Sequence, residues 1–207
     1  MKDGGYDIGY KTCQSFWGDN PGSLLMELED VILNYENLRV LDLGCGEGKN
    51  AVYLAKKGCF VDAIDISKYA ISNATAKVAD TLNINIEQCD ARSYSYTPNK
   101  YDIIIAYGLF HCFDNKVQVD KVIEDCISSL VNGGFLILCA FNSRKHDLTA
   151  HPGFNPLLLN HGNYLRYFKK FNIVFESDED LFETHPHNNI PHMHSMTRLI
   201  IQKNELP

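Results

Sequence analysis

The chain contains seven cysteines, an odd number, and no two of them stand in a C-x-x-C arrangement. Disulfide frameworks and thiolate zinc sites depend on paired cysteines, so neither is expected. The N-terminus lacks the apolar stretch of a secretory signal, and the longest apolar run, residues 135–141, is too short to span a bilayer. We therefore expect a reduced, cytoplasmic protein with no membrane partner.

Positive charge is also scarce. The 207 residues carry 19 Lys and Arg against 26 Asp and Glu, which gives a formal net charge of −7. Because nucleic acids are bound largely through clustered positive charge, this balance argues against a nucleic-acid partner. Hydrophobic residues make up 45% of the chain, and no repeat or flexible linker divides it. This composition is typical of a single globular domain, and nothing in the sequence indicates an oligomeric state.

Apolar runs alternate with amphipathic stretches, which is typical of βαβ units and a parallel sheet. Strands are predicted at residues 39–43, 60–65, 84–88, 101–107, 135–141, 171–175 and 196–202. No helical period separates the last two, so they are expected to form a hairpin with an antiparallel last strand. The predicted fold is α/β, a doubly wound, Rossmann-like, seven-stranded and mostly parallel sheet.

Candidate capping residues predict where the helices begin. Asn20-Pro21 is expected to open the first helix, Ser67 and Asp114 to cap two later ones, and residues 156–170 to form another. We expect the chain to form a single domain, residues 1–207, that consists of three parts. Residues 1–37 are an N-terminal lid and helix, 38–141 a cofactor-binding core, and 142–207 the substrate-side loops and the hairpin.

A glycine-rich turn, Gly44-Cys45-Gly46-Glu47-Gly48, follows the first predicted strand. A dinucleotide fingerprint needs a third small residue three positions after Gly46, and Lys49 stands there instead. Asp42 precedes the turn, and its carboxylate would repel a pyrophosphate but suits an ammonium or sulfonium group. At the next two strand ends, Asp65 can accept both hydroxyls of a ribose, and Asp90 can accept from an exocyclic amine.

The segments Asp42–Gly48, Asp65-Ile66-Ser67 and Asp90-Ala91 together resemble the class I S-adenosylmethionine-dependent methyltransferases. The tail, with Pro191-His192-Met193-His194, resembles small bacterial tellurite-resistance methyltransferases. The resemblance implies S-adenosylmethionine as cofactor. It also implies the following cofactor-binding residues: Asp42, Gly44, Cys45, Gly46 and Gly48 at the methionine end, Asp65 and Ile66 at the ribose, Asp90 and Ala91 at the adenine, and Tyr107 at the sulfonium.

Ligands of open α/β sheets bind at the carboxyl ends of the parallel strands, so the loops there should face the substrate. His111, which follows the fourth strand, is the candidate general base, and Tyr10 is placed with it in the reaction. Aromatic residues of the N-terminus are expected to close over the cofactor. The substrate-side candidates are Tyr6, Trp17, Arg144, His146, His192 and His194.

Seven of the eight histidines fall in these loops, and three explanations remain open. Polar loops collect histidine, imidazoles can bind substrate, or the residues can hold a metal. The metal candidates are His185, His187, His192 and His194, with Asp180 and Glu183 just upstream; iron, manganese or zinc would suit them.

The expected function is methyl transfer to a small-molecule acceptor with an oxygen, nitrogen, sulfur or metalloid nucleophile, by in-line displacement at the cofactor methyl. A metal-assisted reaction at residues 185–194 is one alternative. A non-catalytic cofactor-binding module and a nicotinamide-dependent oxidoreductase are the others.

Overall fold

The computed structural model describes residues 6–78, 82–185 and 189–204. In this part of the chain seven strands form one sheet in the order β3-β2-β1-β4-β5-β7-β6. The strands are β1 Arg39–Leu43, β2 Phe60–Asp65, β3 Ile84–Gln88, β4 Tyr101–Tyr107, β5 Leu130–His146, β6 Asn172–Glu183 and β7 His192–Gln202. Strands β1 to β5 pair in parallel, and β7 pairs antiparallel with both β5 and β6. The predicted fold class is confirmed.

Helices cover both faces of the sheet. They are α1 Asp7–Thr12, α2 Ser23–Glu29, α3 Lys49–Lys56, α4 Lys68–Lys77, α5 Lys116–Ser129 and α6 His161–Tyr167. The isoleucines of β4 alternate between the two cores, because successive side chains of a strand point to opposite faces. Ile104 packs with residues of α5 and α6, while Ile103 and Ile105 pack with residues of α2 and α3. No described helix is both long and apolar enough to cross a membrane.

Several predicted helix boundaries are wrong. The helix expected at Asn20-Pro21 begins only at Ser23, because Gly22, its N-cap, is extended and its amide donates to Asn50 Oδ1 at 2.8 Å. Asp114 does not cap α5; the side chain of Asn115 accepts a hydrogen bond from the Gln118 amide instead. Ser67 does cap α4, as predicted.

The C-terminal hairpin is longer than the sequence pattern indicates. Strand β6 continues to Glu183, β7 begins at His192, and the register pairs these two residues with each other. Strand β5 likewise continues past residue 141 to His146, which pairs with His194 across a register shift. The helix predicted at 156–170 is confined to α6, where Asn160 is the cap. These extensions bring polar residues to one edge of the sheet.

Candidate active site

A cavity of about 280 Å³ lies at the carboxyl ends of the parallel strands, beneath the N-terminal segment. This is the edge that the strand directions predicted for a ligand. The cavity volume is close to the lower end of the range of small-molecule sites, about 300–1,000 Å³. Of the residues predicted from sequence, those that line it are Tyr6, Tyr10, Trp17, Gly44, Cys45, Gly46, Asp65, Ile66, Tyr107 and His111.

The glycine turn takes a backbone conformation that side chains disfavour. Gly44, Gly46 and Gly48 have φ angles of +67°, +54° and +76°. Space is limited as well, since a Cβ on Gly46 would lie 3.0 Å from the Tyr10 hydroxyl. The turn therefore presents bare backbone to the cavity at Gly44 and Gly46. Gly48 is the N-cap of α3 and does not line the cavity.

The carboxylate of Asp65 holds this turn in place. Its Oδ2 accepts a hydrogen bond from the Gly46 amide at 2.8 Å, and its Oδ1 accepts one from the Ser67 amide, also at 2.8 Å. Asp65 is only partly buried and lines the cavity.

Asp42 lies beneath the turn and does not line the cavity. Its side chain is 1% exposed, and neither carboxylate oxygen makes a hydrogen bond of ordinary geometry. Burial, with a smaller contribution from the Asp65 charge, raises the pKa of Asp42 to about 7, and the Ala51 backbone and Lys49 offset this only in part. The domain thus keeps a carboxyl poised to ionise near neutral pH.

This burial predicts a pH-dependent stability. Folding raises the pKa of the Asp42 carboxyl from 3.8 to about 7. The protonated carboxyl therefore stabilises the fold fully below pH 3.8, and this stabilisation is lost as the pH rises to about 7. The free energy of unfolding falls by about 4 kcal/mol over this pH range. We expect Asp42→Asn to raise the melting temperature of the ligand-free protein at pH 8, by an amount that shrinks towards pH 5. Asp30→Asn, which removes an exposed charge at the end of α2, is the control; a pH-independent difference for Asp42→Asn would contradict the assignment.

The carboxylate of Asp90 forms an ion pair with Arg92 outside the cavity. Burial alone would raise its pKa, but the Arg92 guanidinium outweighs burial and lowers it, donating to Asp90 at distances of 2.6 to 3.1 Å. Neither Asp90 nor the buried Ala91 lines the cavity. Their role at an adenine stays a prediction.

The N-terminal aromatic residues cover the glycine turn. Tyr6 and Tyr10 are buried, and the Trp17 indole N–H donates to the Tyr10 hydroxyl at 3.0 Å. Backbone contacts fasten the segment to the core, because the Ser15 amide donates to Glu47 Oε1 and the Lys49 ammonium donates to the Trp17 carbonyl. Burial raises the pKa of Tyr10 well above its usual value, so its phenol stays protonated.

His111 lines the opposite side of the cavity. Its ring stacks on Phe141 at 4.0 Å, and its Nδ1 accepts a hydrogen bond from the Phe141 amide at 3.1 Å. Burial, followed by three neighbouring histidines, lowers the pKa of His111 to about 3. The ring is therefore neutral, with its one hydrogen on Nε2.

Residues 40–134 match the family model of a methyltransferase domain. An uncharacterised methyltransferase of Schizosaccharomyces pombe is 40% identical over 77 residues, which are 37% of this chain and 53% of that protein. The probable S-adenosyl-L-methionine-dependent methyltransferase TehB of Haemophilus influenzae is 33% identical over 104 residues, 49% of this chain and 35% of that protein. The crystal structure of TehB superposes with a TM-score of 0.73 at 21% identity, over 88% of this chain and 62% of that chain.

Residues 40–134 thus form a methyltransferase domain, and the similarity to TehB together with the strand order supports the class I, S-adenosylmethionine-dependent type. The chain spans about half or less of the length of these curated relatives. The matches do not share one acceptor: they include a phosphoethanolamine N-methyltransferase of Plasmodium falciparum, 29% identical over 153 residues, and also ribosomal RNA and ribosomal protein methyltransferases. The comparisons therefore fix the class of the domain and leave its acceptor open.

The cavity of the methyltransferase domain suits the cofactor of this class in two respects. The bare backbone at Gly44 and Gly46 leaves room that a Cβ would fill. Asp65 puts a carboxylate in the lining beside that turn, which favours a ligand bearing an ammonium and a sulfonium.

The remaining predicted residues lie outside the lining. Arg144 is directed to the surface, where it pairs with Asp178 and Asp180 at 2.8 and 2.6 Å. His146, His185, His192 and His194 gather beside the cavity without lining it. His187 lies outside the described residues.

Four residues that no sequence pattern assigned to the site also line the cavity: Glu47, Lys49, Phe141 and Met196. Glu47 and Lys49 look like ordinary surface residues in the sequence. Glu183, expected only beside the metal candidates, lines the cavity as well. Glu183 reaches the cavity only because the hairpin extends to it, a length that no local pattern specifies.

Proposed function

We propose that the protein transfers the methyl group of S-adenosylmethionine to a small-molecule acceptor. The observation that carries the proposal is the cavity itself, which the glycine turn bounds on one side and His111 on the other, with Tyr6, Tyr10 and Trp17 around it. Its volume, about 280 Å³, suits small molecules. The aromatic residues would exclude water from the reacting groups.

S-adenosylmethionine supplies an activated methyl group, so the chain's residues need chiefly to bind and orient. The amides around Gly44 and Gly46, with Asp42 beneath them, would hold the methionine end of the cofactor. Asp65, which lines the cavity, would accept hydrogen bonds from the ribose hydroxyls. Tyr107, at the end of β4, would lie near the sulfonium.

His111 is better suited to donate a hydrogen bond than to act as the base that its sequence position suggested. Its Nδ1 is engaged by the Phe141 amide, its pKa is lowered to about 3, and its hydrogen is on Nε2. Tyr10 is protonated and is likewise a donor. Neither residue can readily take a proton at neutral pH. We therefore propose an acceptor that is already deprotonated and has no proton to lose on methylation, such as a thiolate or a metalloid oxyanion.

The charge of the chain supports a small acceptor over a nucleic acid. A net charge of −7 gives little attraction for a phosphate backbone. All seven cysteines are free, which supports a reducing, cytoplasmic setting.

Methyl transfer is tested with methyl-labelled S-adenosylmethionine and separate acceptors: small thiols, tellurite, amines, total RNA and unfolded protein. We expect label to move to a thiol or to the oxyanion in wild type and to stay on the cofactor with Asp65→Ala. Label on RNA or protein would overturn the small-molecule proposal. Cofactor binding without transfer to any acceptor would favour a non-catalytic binding module.

A further inference from the structure

Four potential ligand atoms converge beside the cavity, from His151, Glu183, His192 and His194, and all lie within 4.8 Å of one another. They come from three places: the loop after β5, the end of β6 and the start of β7. The three histidines are buried, and Glu183, which is half-buried, also lines the cavity. Proton positions at these rings decide what the cluster can bind.

The backbone contact of His192 fixes its proton. His192 Nδ1 lies 2.8 Å from the Ile190 carbonyl oxygen, which can only accept, so the hydrogen of the neutral ring is on Nδ1. Nε2 then presents a lone pair to the cluster, 3.2 Å from His151 Nε2 and 3.5 Å from Glu183 Oε1. A ring N–H that donates to a backbone carbonyl is the usual support of a metal-binding histidine.

A chain of two contacts fixes the proton of His194 in the same way. His146 Nε2 donates to the Asn142 carbonyl, so His146 Nδ1 is an acceptor and takes the hydrogen of His194 Nδ1, 3.3 Å away. His194 Nε2 is thereby left with a lone pair. That atom is fully buried, has no hydrogen-bond partner among the residues that the structure describes, and lies 3.8 Å from Glu183 Oε1.

The cluster thus directs two imidazole lone pairs at a carboxylate oxygen. An ionised carboxylate also accepts, so a cation bound between these atoms would satisfy all three acceptors at once. Two nitrogens of a tetrahedral zinc site, with bonds of about 2.0–2.1 Å, lie about 3.3 Å apart. The spacings of 3.2, 3.5 and 3.8 Å in the cluster are close to that distance.

We propose that His151, Glu183, His192 and His194 bind one divalent transition-metal ion. Imidazole nitrogens with one carboxylate oxygen suit zinc, iron(II) or manganese(II). Glu183 places the ion at the wall of the cavity. His185 contacts both the proposed metal site and the N-terminal segment, because its Nε2 lies 3.2 Å from His151 Nε2 and its ring stacks on Phe16.

Metal binding is tested in a titration that does not depend on methyl transfer. Tag-free protein is stripped with a chelator and titrated with zinc sulfate, and with cobalt(II) to obtain a visible absorption spectrum. We expect one ion per chain in the wild type and at least 100-fold weaker binding in His192→Ala. His161→Ala is the matched control, since His161 pairs with Glu176 at 2.9 Å on α6, away from the cluster; it should bind as the wild type does.

His146→Ala separates a metal site from a merely packed cluster. It leaves all four proposed ligands in place and removes only the partner that orients His194 Nδ1. We expect metal affinity to fall 10- to 100-fold, the usual effect of removing such a partner, with unchanged binding of S-adenosylhomocysteine. Equal zinc affinity in wild type, His192→Ala and His146→Ala would overturn the proposal. So would a wild type that gives no cobalt spectrum, and either result would leave the methyl-transfer proposal standing.

Discussion

Replacing Asp65 with alanine is expected to weaken the binding of S-adenosylhomocysteine by at least about 100-fold. The carboxylate accepts from the Gly46 and Ser67 amides and therefore fixes the glycine turn in its binding conformation. Charge-assisted hydrogen bonds contribute about 1.5–3 kcal/mol each, and each 1.4 kcal/mol corresponds to a tenfold change in affinity. Loss of two bonds to the ribose accounts for the expected change, which titration calorimetry measures.

Asp62→Ala is the matched control for this experiment. Asp62 lies on the same strand, but its carboxylate accepts from Lys100 and Tyr101, away from the cavity. It should lower the melting temperature and leave the affinity within a few-fold of wild type. If Asp65→Ala bound S-adenosylhomocysteine as tightly as Asp62→Ala does, Asp65 would not contact the ribose.

Replacing His111 with alanine is expected to lower turnover about 100-fold without weakening cofactor binding. The neutral ring would donate from Nε2 to the acceptor and hold it in line with the methyl–sulfur bond, and misplacement of reacting groups costs about 10²-fold in rate. Turnover and cofactor affinity are measured separately, once an acceptor has been identified.

His111→Gln distinguishes donation from base catalysis. The glutamine amide can accept from the Phe141 amide through its oxygen and donate through its nitrogen, but it cannot take a proton. We expect it to restore at least a tenth of wild-type turnover. Glutamine and alanine variants that are equally inactive would point to a base and contradict the proposed role.

The sequence predicted the parallel strands well, because buried strands have continuous apolar runs with sharp ends. Residues 39–43, 60–65, 84–88 and 101–107 are strands at the predicted bounds. The helix starts were harder to predict. The contact of the Gly22 amide with the distant Asn50 delays α2, and of two neighbouring polar residues, Asp114 and Asn115, it is Asn115 that caps α5.

The candidate site was predictable where it depends on local sequence. Gly44, Gly46 and Asp65 lie in a strand–turn–helix unit that the motif specifies, and they line the cavity; their contact with the cofactor stays a prediction. The motif does not specify side-chain pairing, so it did not show that Arg92, two residues after Asp90, would occupy the Asp90 carboxylate. His151 meets Glu183 only through the lengths of β5 and of the hairpin, which depend on distant parts of the chain.

Titration calorimetry of wild-type protein with S-adenosylhomocysteine tests the central claim most directly. If the cavity beneath the N-terminal aromatic residues is the cofactor site, heat should be released with one ligand bound per chain, and Asp65→Ala should abolish it in the same concentration range. No heat from a folded wild-type sample, or equal heat from wild type and Asp65→Ala, would contradict this account of the site.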